Sequence, residues 1–301
     1  WQNSASLCWL DSMLVALVNC KSLKKSRPDV EPRQSTVWRL IREHEDVGSA
    51  VQGHRQTGSD GVARVPQAVL EKSHADLDRL RMSVFQQLQP KLHCKLGKKE
   101  TPVFALPLLL AMDAWAEPLF RTLFHWEFKC TECGAATKER IWKTLPTFTD
   151  VVTDWHPLRA VHLAPCNRCS RSHQRRTMTL ESVPPVFGLH FVQGLPSNDT
   201  GNYSFTFNRN HYSISTVIQY KHHLKHFVTW ICHSNGSWQE YDDLKHPECR
   251  THSRLPVPAE EMHIVFWEVE EGCKEPAGCS PSSSFSALPP PDHPGTSKPG
   301  G

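Results

Sequence analysis

An α+β fold, helical first and strand-rich afterwards, is what this 301-residue sequence predicts. Three observations carry it. Apolar residues recur at helical spacing through the first third of the chain, short β-branched and aromatic runs take over from Leu123, and two turn signals between those runs suit antiparallel pairing. No internal repeat interrupts the order.

The helical part begins at a cysteine. After Cys8, the residues Leu10, Met13, Leu14 and Leu17 share one face, so 8–20 reads as an amphipathic helix that the thiol opens. A second helix is expected over 36–44 and a third over 76–92, where Leu77, Leu80, Val84, Phe85 and Leu88 align and Pro90 stands near the end. The apolar stretch at 102–112 contains Pro107 and falls far short of the roughly 20 residues of a membrane span, so no membrane association is expected.

Strands are expected at 124–128, 177–180, 186–191, 203–207, 211–218, 226–232 and 262–269. Asn208, Arg209 and Asn210 form one hairpin signal, and Ser234, Asn235 and Gly236 form another. The last stretch, 273–301, is rich in Pro, Ser and Gly and reads as a disordered tail. The sequence starts without Met and inside a motif, as a piece of a longer chain would.

Composition narrows the function. A formal net charge of +3 gives no global field toward nucleic acid or an anionic membrane, so nucleic acid is not an expected partner. Eleven cysteines, an odd number with two pairs in Cys-x-x-Cys spacing, favour a metal site and a reactive thiol in a reducing compartment over a disulfide framework. The Asn-x-Ser/Thr triplets at Asn198, Asn202 and Asn235 are discounted on that ground.

Two constellations carry chemistry. Cys8 opens a helix whose positive end favours the thiolate, and Asn3, five residues earlier, offers an amide to an oxyanion. His226 starts a strand that runs through an Asn-Gly hairpin to Asp242 and Asp243, so an imidazole base and an orienting carboxylate can meet across neighbouring strands. Asp242 is the expected orienter and Asp243 the lesser candidate. Separately, Cys130, Cys133, Cys166 and Cys169 supply four thiolates for a structural zinc ion, with a long hairpin expected between the pairs. Arg168, Arg171, Arg175 and Arg176, with Lys138 and Arg140, form a basic face that is either solvated or a docking surface for an acidic partner.

These residues resemble a known family. The run Asn3-Ser-Ala-Ser-Leu-Cys8-Trp-Leu-Asp-Ser is similar to the cysteine box of ubiquitin-specific proteases, and Cys130-Thr-Glu-Cys133-Gly with Leu145-Pro is similar to their zinc fingers. The segment 212–230 resembles the histidine box, 238–243 the strand after it, and Ile264-Val-Phe-Trp267 the closing strand. The resemblance implies a papain-like catalytic domain over 1–272, with a helical thumb (1–122), zinc-linked fingers (123–185) and an antiparallel-sheet palm (186–272).

Departures from the common pattern point to one branch. Trp9 follows the nucleophile, Lys225 precedes the histidine, and the helical lobe has no acidic Glu-Phe box; in these the chain resembles the SUMO-isopeptidase branch. That implies a monomeric nuclear enzyme of Cajal bodies acting on SUMO and SUMO-conjugated proteins, with Cys8, His226, Asp242 and Asn3 as its catalytic residues. A deubiquitinase with the same triad, or a non-catalytic zinc-stabilised module that binds a modifier, are the alternatives. Trp9 and Trp230 are the expected walls of a narrow channel for a Gly-Gly tail.

Overall fold

The first helix is more enclosed than its sequence pattern indicates. In the structure, a computed structural model that describes residues 1–61, 63–245 and 249–270, helix α1 (Cys8–Val18) is buried at every position from Trp9 to Val18. A helix packed on all sides needs no polar face, and the expected amphipathic reading gives way to this one. Its polar residues are matched internally: Asp11 accepts from the Arg81 guanidinium and the Ser12 hydroxyl donates to the Trp9 carbonyl. The tail expected at 273–301 lies outside the described residues.

Four further helices pack around α1. Helix α2 (Lys21–Ser26) follows directly. Helix α3 (Thr36–Gly53) starts where the Ser35 hydroxyl caps the Trp38 N–H and runs past the expected end at 44. Helix α4 (Gln67–Leu92) begins well before residue 76, because its first turns are largely exposed and carry no apolar period to read. The apolar stretch forms α5 (Pro102–Ala111), with Pro102 in its first turn and Thr101 capping Val103. Among the described residues, no helix is long and apolar enough to cross a membrane.

A two-stranded ribbon, β1 (Gln56–Thr57) with β2 (Ala63–Arg64), lies between α3 and α4. After α5 the chain makes β3 (Thr122–Lys129), β4 (Ala136–Lys143), β5 (Thr147–Phe148), β6 (Asp150–Val151), β7 (Ala160–Ala164) and β8 (Gln174–Ser182). All but β5 form a five-stranded sheet in the order β4-β3-β8-β7-β6. The expected single long hairpin between the cysteine pairs is instead two hairpins, β3–β4 and β7–β8, each carrying one pair at its turn. Between them the chain runs back toward the second sheet, which β5 joins.

That second sheet contains β9 (Val186–Phe191), β10 (Phe205–Phe207), β11 (Asn210–Lys221), β12 (His226–Cys232), β13 (Trp238–Tyr241), β14 (Thr251–His252) and β15 (Met262–Val269). Its order is β14-β13-β12-β11-β15-β9-β5, with β10 paired to β11. Both expected turns are present. Asn208 and Arg209 take φ of 47° and 67°, the two left-handed positions of a tight β-hairpin turn, and Gly236 takes φ of 80° between β12 and β13.

Two apolar cores result. One joins α1, α3, α4 and α5 to the sheet through Ile218, Phe227, Ile264 and Phe266. The other, on the opposite side, is aromatic, with Phe148, Trp155, Phe187, Phe191 and Trp267 fully buried or nearly so. Burial of α1 against β12 sets the relative position of the elements that carry Cys8 and His226, and a hydrogen bond fixes it: the Thr229 hydroxyl donates to the Ser12 carbonyl at 2.8 Å.

Candidate active site

Cys8 is presented by a strained turn. Ala5 and Ser6 take φ of 48° and 59°, in the left-handed region that side-chain-bearing residues seldom occupy. The Leu7 N–H closes the turn on the Ser4 carbonyl at 3.0 Å, and the Gly97 N–H holds the Ala5 carbonyl at 3.1 Å. The chain therefore enters α1 with Cys8 as its first residue, half-exposed, while Leu7 makes no side-chain cap. A helix start of this kind leaves its first N–H groups without intrahelical acceptors, free to meet developing negative charge.

His226 reaches the same place from the sheet. Lys225 turns the chain with φ of 49°, and β12 begins at His226, paired in register with Lys221 of β11. Asp242 directly follows β13, the neighbour of β12. The His226 Nε2 meets Asp242 Oδ1 at 2.7 Å, and both side chains are about 95% buried, at 5% and 3% exposure. With Nε2 so engaged, Nδ1 is the ring nitrogen left to serve the Cys8 thiol, which lines one cleft with Asp242 and helps to raise the His226 pKa.

Electrostatics follow from that arrangement. Burial disfavours the imidazolium, but the hydrogen bonds to Asp242 and Cys8 and the charges of Asp242 and Asp243 outweigh it, raising the His226 pKa from 6.5 to about 9. Burial likewise opposes the Asp242 carboxylate, yet the His226 hydrogen bond and the Leu244 N–H lower its pKa to about 2. Lys221 Nζ, 3.4 Å from Asp242 Oδ2, adds to this. At neutral pH the two groups form an ion pair.

Asn3 lies beside them, held by Asp243, the lesser of the two orienter candidates. Its backbone N–H donates to the Asp243 carbonyl at 3.0 Å and its Nδ2 to Asp243 Oδ2 at 3.1 Å. A side-chain amide has two N–H groups, so one remains for another acceptor. Asp243 Oδ1 stands 3.5 Å from His226 Nε2, farther than Asp242. Asp243 thus ties Asn3 to the histidine side of the site.

A cleft opens here, with Trp1, Cys8, Asp11, Phe227, Tyr241 and Asp243 among its lining residues. The expected channel walls are elsewhere. Trp9 is 1% exposed and packs near Phe85, and Trp230 is 4% exposed with its indole N–H on Gln219. Each is ordinary core: Trp9 sits on a helix buried at every position after Cys8, and Trp230 packs with Val228 into the aromatic core. The aromatic walls are Trp1, Phe227 and Tyr241.

At the hairpin tips, the sulfur atoms of Cys130, Cys133, Cys166 and Cys169 all lie within 4.8 Å of one another. Cys130 and Cys169 are 3.6 Å apart and Cys133 and Cys166 3.8 Å. Disulfides need about 2.05 Å, whereas four thiolates about 2.3 Å from a tetrahedral zinc ion stand roughly 3.8 Å from each other. The donor set therefore fits zinc. The basic face nearby is partly neutralised: Lys138 pairs with Glu127, Arg140 with Glu181, and Arg176 stacks on Phe128.

A thiol on a helix start, an imidazole between thiol and carboxylate, and a split thumb-and-palm architecture define the layout of a thiol peptidase. The chain belongs to the family described as ubiquitin-specific peptidase-like, SUMO isopeptidase, whose sequence profile matches residues 1–268. It is 47% identical over 280 residues to the SUMO-specific isopeptidase USPL1 of Danio rerio, covering 90% of this chain and 28% of that one. It is 41% identical over 286 residues to the Homo sapiens protein of the same name, covering 93% of this chain and 26% of that one. The chain thus spans about a quarter of the length of these curated relatives. Among solved structures, the Ubp8 SAGA DUB module bound to monoubiquitin is similar with a TM-score of 0.51 and 11% identity, over 90% of this chain and 68% of that one. That likeness concerns the fold, and the expected ubiquitin-specific-protease architecture is borne out.

Proposed function

We propose that this chain is the catalytic domain of a SUMO isopeptidase, hydrolysing the bond between the C-terminal glycine of SUMO and a substrate lysine. The observation that carries the reading is the 2.7 Å hydrogen bond of His226 to Asp242 beside the cleft that Cys8 lines. His226 holds the proton given up by the thiol, so the sulfur attacks the glycine carbonyl as thiolate, and the imidazolium then passes that proton to the leaving lysine amine. Asp242 keeps the ring oriented and stabilises its charged form. The carbonyl oxygen, negative in the tetrahedral intermediate, meets the free N–H groups at the start of α1 and the second N–H of Asn3. Water attacking the resulting thioester, with His226 as base, releases SUMO with a free carboxylate.

Bound by Cys130, Cys133, Cys166 and Cys169, zinc would pin the β3–β4 hairpin to β7–β8; with four protein ligands it has no open position for chemistry. The domain works as a monomer. In the cell it acts in the nucleus, at Cajal bodies.

Fluorogenic SUMO and ubiquitin substrates test the reading side by side. The expected result is hydrolysis of the SUMO substrate, lost in Cys8→Ala, with little or none of the ubiquitin one. Turnover of ubiquitin alone would make the domain a deubiquitinase, and binding of SUMO without turnover of either would make it a recognition module.

A further inference from the structure

Arg81, on α4, is almost wholly buried, with a side chain 3% exposed. Its guanidinium reaches three separate elements. Nη1 donates to the Gln2 carbonyl at 3.0 Å and to both oxygens of Asp11, at 3.2 and 3.0 Å. Nη2 donates to the Ser4 hydroxyl at 2.7 Å and to Asp78 one turn back on α4.

The partners fall on either side of Asn3. Residues 2 and 4 are held by Arg81, while residue 3 itself is held by Asp243 through its backbone and its amide. Asp11 completes the connection, because it lies on α1 one turn beyond Cys8 and lines the same cleft. A continuous path of polar contacts therefore runs from the nucleophile's helix through the buried Asp11 and Arg81 to the segment bearing Asn3. Burial raises the Asp11 pKa to about 7 against the opposing charge of Arg81, so the guanidinium is what favours the ionised partner there.

Stability alone is a weak reason for such a pair. Desolvating two charges costs so much that an apolar pair of similar volume is often as stable or more so. What a guanidinium supplies and an apolar side chain does not is a rigid planar fork that fixes several acceptors relative to one another.

We propose that Arg81 is a positioning residue for the oxyanion side of the site: it sets the Gln2–Ser4 segment against α1 so that the Asn3 amide faces the bond that Cys8 attacks. This inference rests on the isopeptidase reading above. Arg81 touches no substrate. It acts through Asn3, and its removal alters the rate of the chemical step while leaving the modifier's grip and the thiol's reactivity intact.

The test compares the chain as it stands with Arg81→Lys and with the double variant Asp11→Asn/Arg81→Met, which leaves no unpaired charge in the core. Steady-state hydrolysis of a fluorogenic SUMO substrate gives kcat and KM, and alkylation by iodoacetamide reports the Cys8–His226 pair, because that reaction forms no oxyanion. In both variants kcat is expected to fall by about 10- to 100-fold, with KM and the alkylation rate each within about twofold of the parent. A kcat within twofold of the parent overturns the proposal. So does a parallel fall in alkylation, which would mean that Arg81 merely holds the site together. If both variants fail to fold, Ser4→Ala removes one arm of the fork from an exposed residue and is expected to cost kcat a few-fold with KM unchanged; an unchanged kcat overturns the proposal equally. A parent chain inactive on the SUMO substrate would instead reject the isopeptidase reading itself.

Discussion

Replacing Asp242 by Asn removes one charge from the site while keeping an acceptor of nearly the same shape. In the parent, the His226 pKa rises from 6.5 to about 9 against the opposing effect of burial, so the carboxylates and the thiol must more than offset that burial. Each unit is worth about 1.4 kcal/mol, so the net preference for imidazolium is on the order of 3 kcal/mol in a side chain that is 5% exposed. Asp242 is the nearest carboxylate, at 2.7 Å against 3.5 Å for Asp243. Its neutralisation is therefore expected to move the alkaline limb of activity down by roughly two units, with Asp243 retaining a remainder. The assay is kcat/KM for a fluorogenic SUMO substrate between pH 5 and 10. At a pH about one unit above the displaced limb, Asp242→Asn should lose roughly tenfold, and Asp242→Ala, which also loses the orienting acceptor, roughly a thousandfold. An alkaline limb that stays put in Asp242→Asn would refute the assignment of the raised imidazole pKa to this carboxylate.

Other consequences can be checked independently. Metal analysis of purified protein should find about one zinc per chain, and stripping it should lower Tm by several degrees through loss of the clamp between the two hairpins; content well under one per chain would contradict the tetrahedral reading of the sulfur spacing. Thr229→Val removes the hydrogen bond to the Ser12 carbonyl that fixes β12 against α1, with an expected cost of about 1 kcal/mol in denaturant unfolding and a few-fold fall in kcat; unchanged kcat would mean that packing alone sets the register. The ion pair should also mark stability against pH. With the His226 pKa raised to about 9, its contribution is complete below about 6.5 and is lost as pH rises through 9. With the Asp242 pKa lowered to about 2, its contribution is present above about 3.8 and is lost as pH falls toward 2. Asp242→Asn should flatten both flanks of a denaturation series, and a profile of unchanged shape would count against the pair.

Much of the fold could be read because its signals are local. The period of β12 and its Asn-Gly turn place His226 and the Asp242 segment on adjacent strands, and the structure keeps both. Strands β9, β12 and β15 have the expected bounds for the same reason: buried runs flanked by turn residues are hard to misread. The start of α4 was not legible, since an exposed helix turn has no apolar pattern.

The site divides in the same way. Cys8, His226 and Asp242 were singled out by residue type and spacing; the structure puts His226 on Asp242 at 2.7 Å and Cys8 on the same cleft as Asp242. The hold of Asp243 on Asn3 and the roles of Arg81 and Thr229 were not, because they lie in contacts across 240, 79 and 217 positions that no sequence period encodes. Trp9 and Trp230 were misplaced because nearness in sequence to a site residue does not decide whether a ring meets the cleft or the core, and both are buried in core. The paired Cys-x-x-Cys spacing pointed to the four-sulfur cluster but not to its support on two separate hairpins, since the return through β5 is a tertiary event.

The most direct test of the Cys8–His226 pair is peptide mapping of the adduct formed with a SUMO vinyl sulfone probe. Mass on the peptide containing Cys8, abolished by Cys8→Ala and sharply reduced by His226→Ala, is the predicted result. An adduct on another cysteine, such as the exposed Cys249 that lines the same cleft, would contradict it.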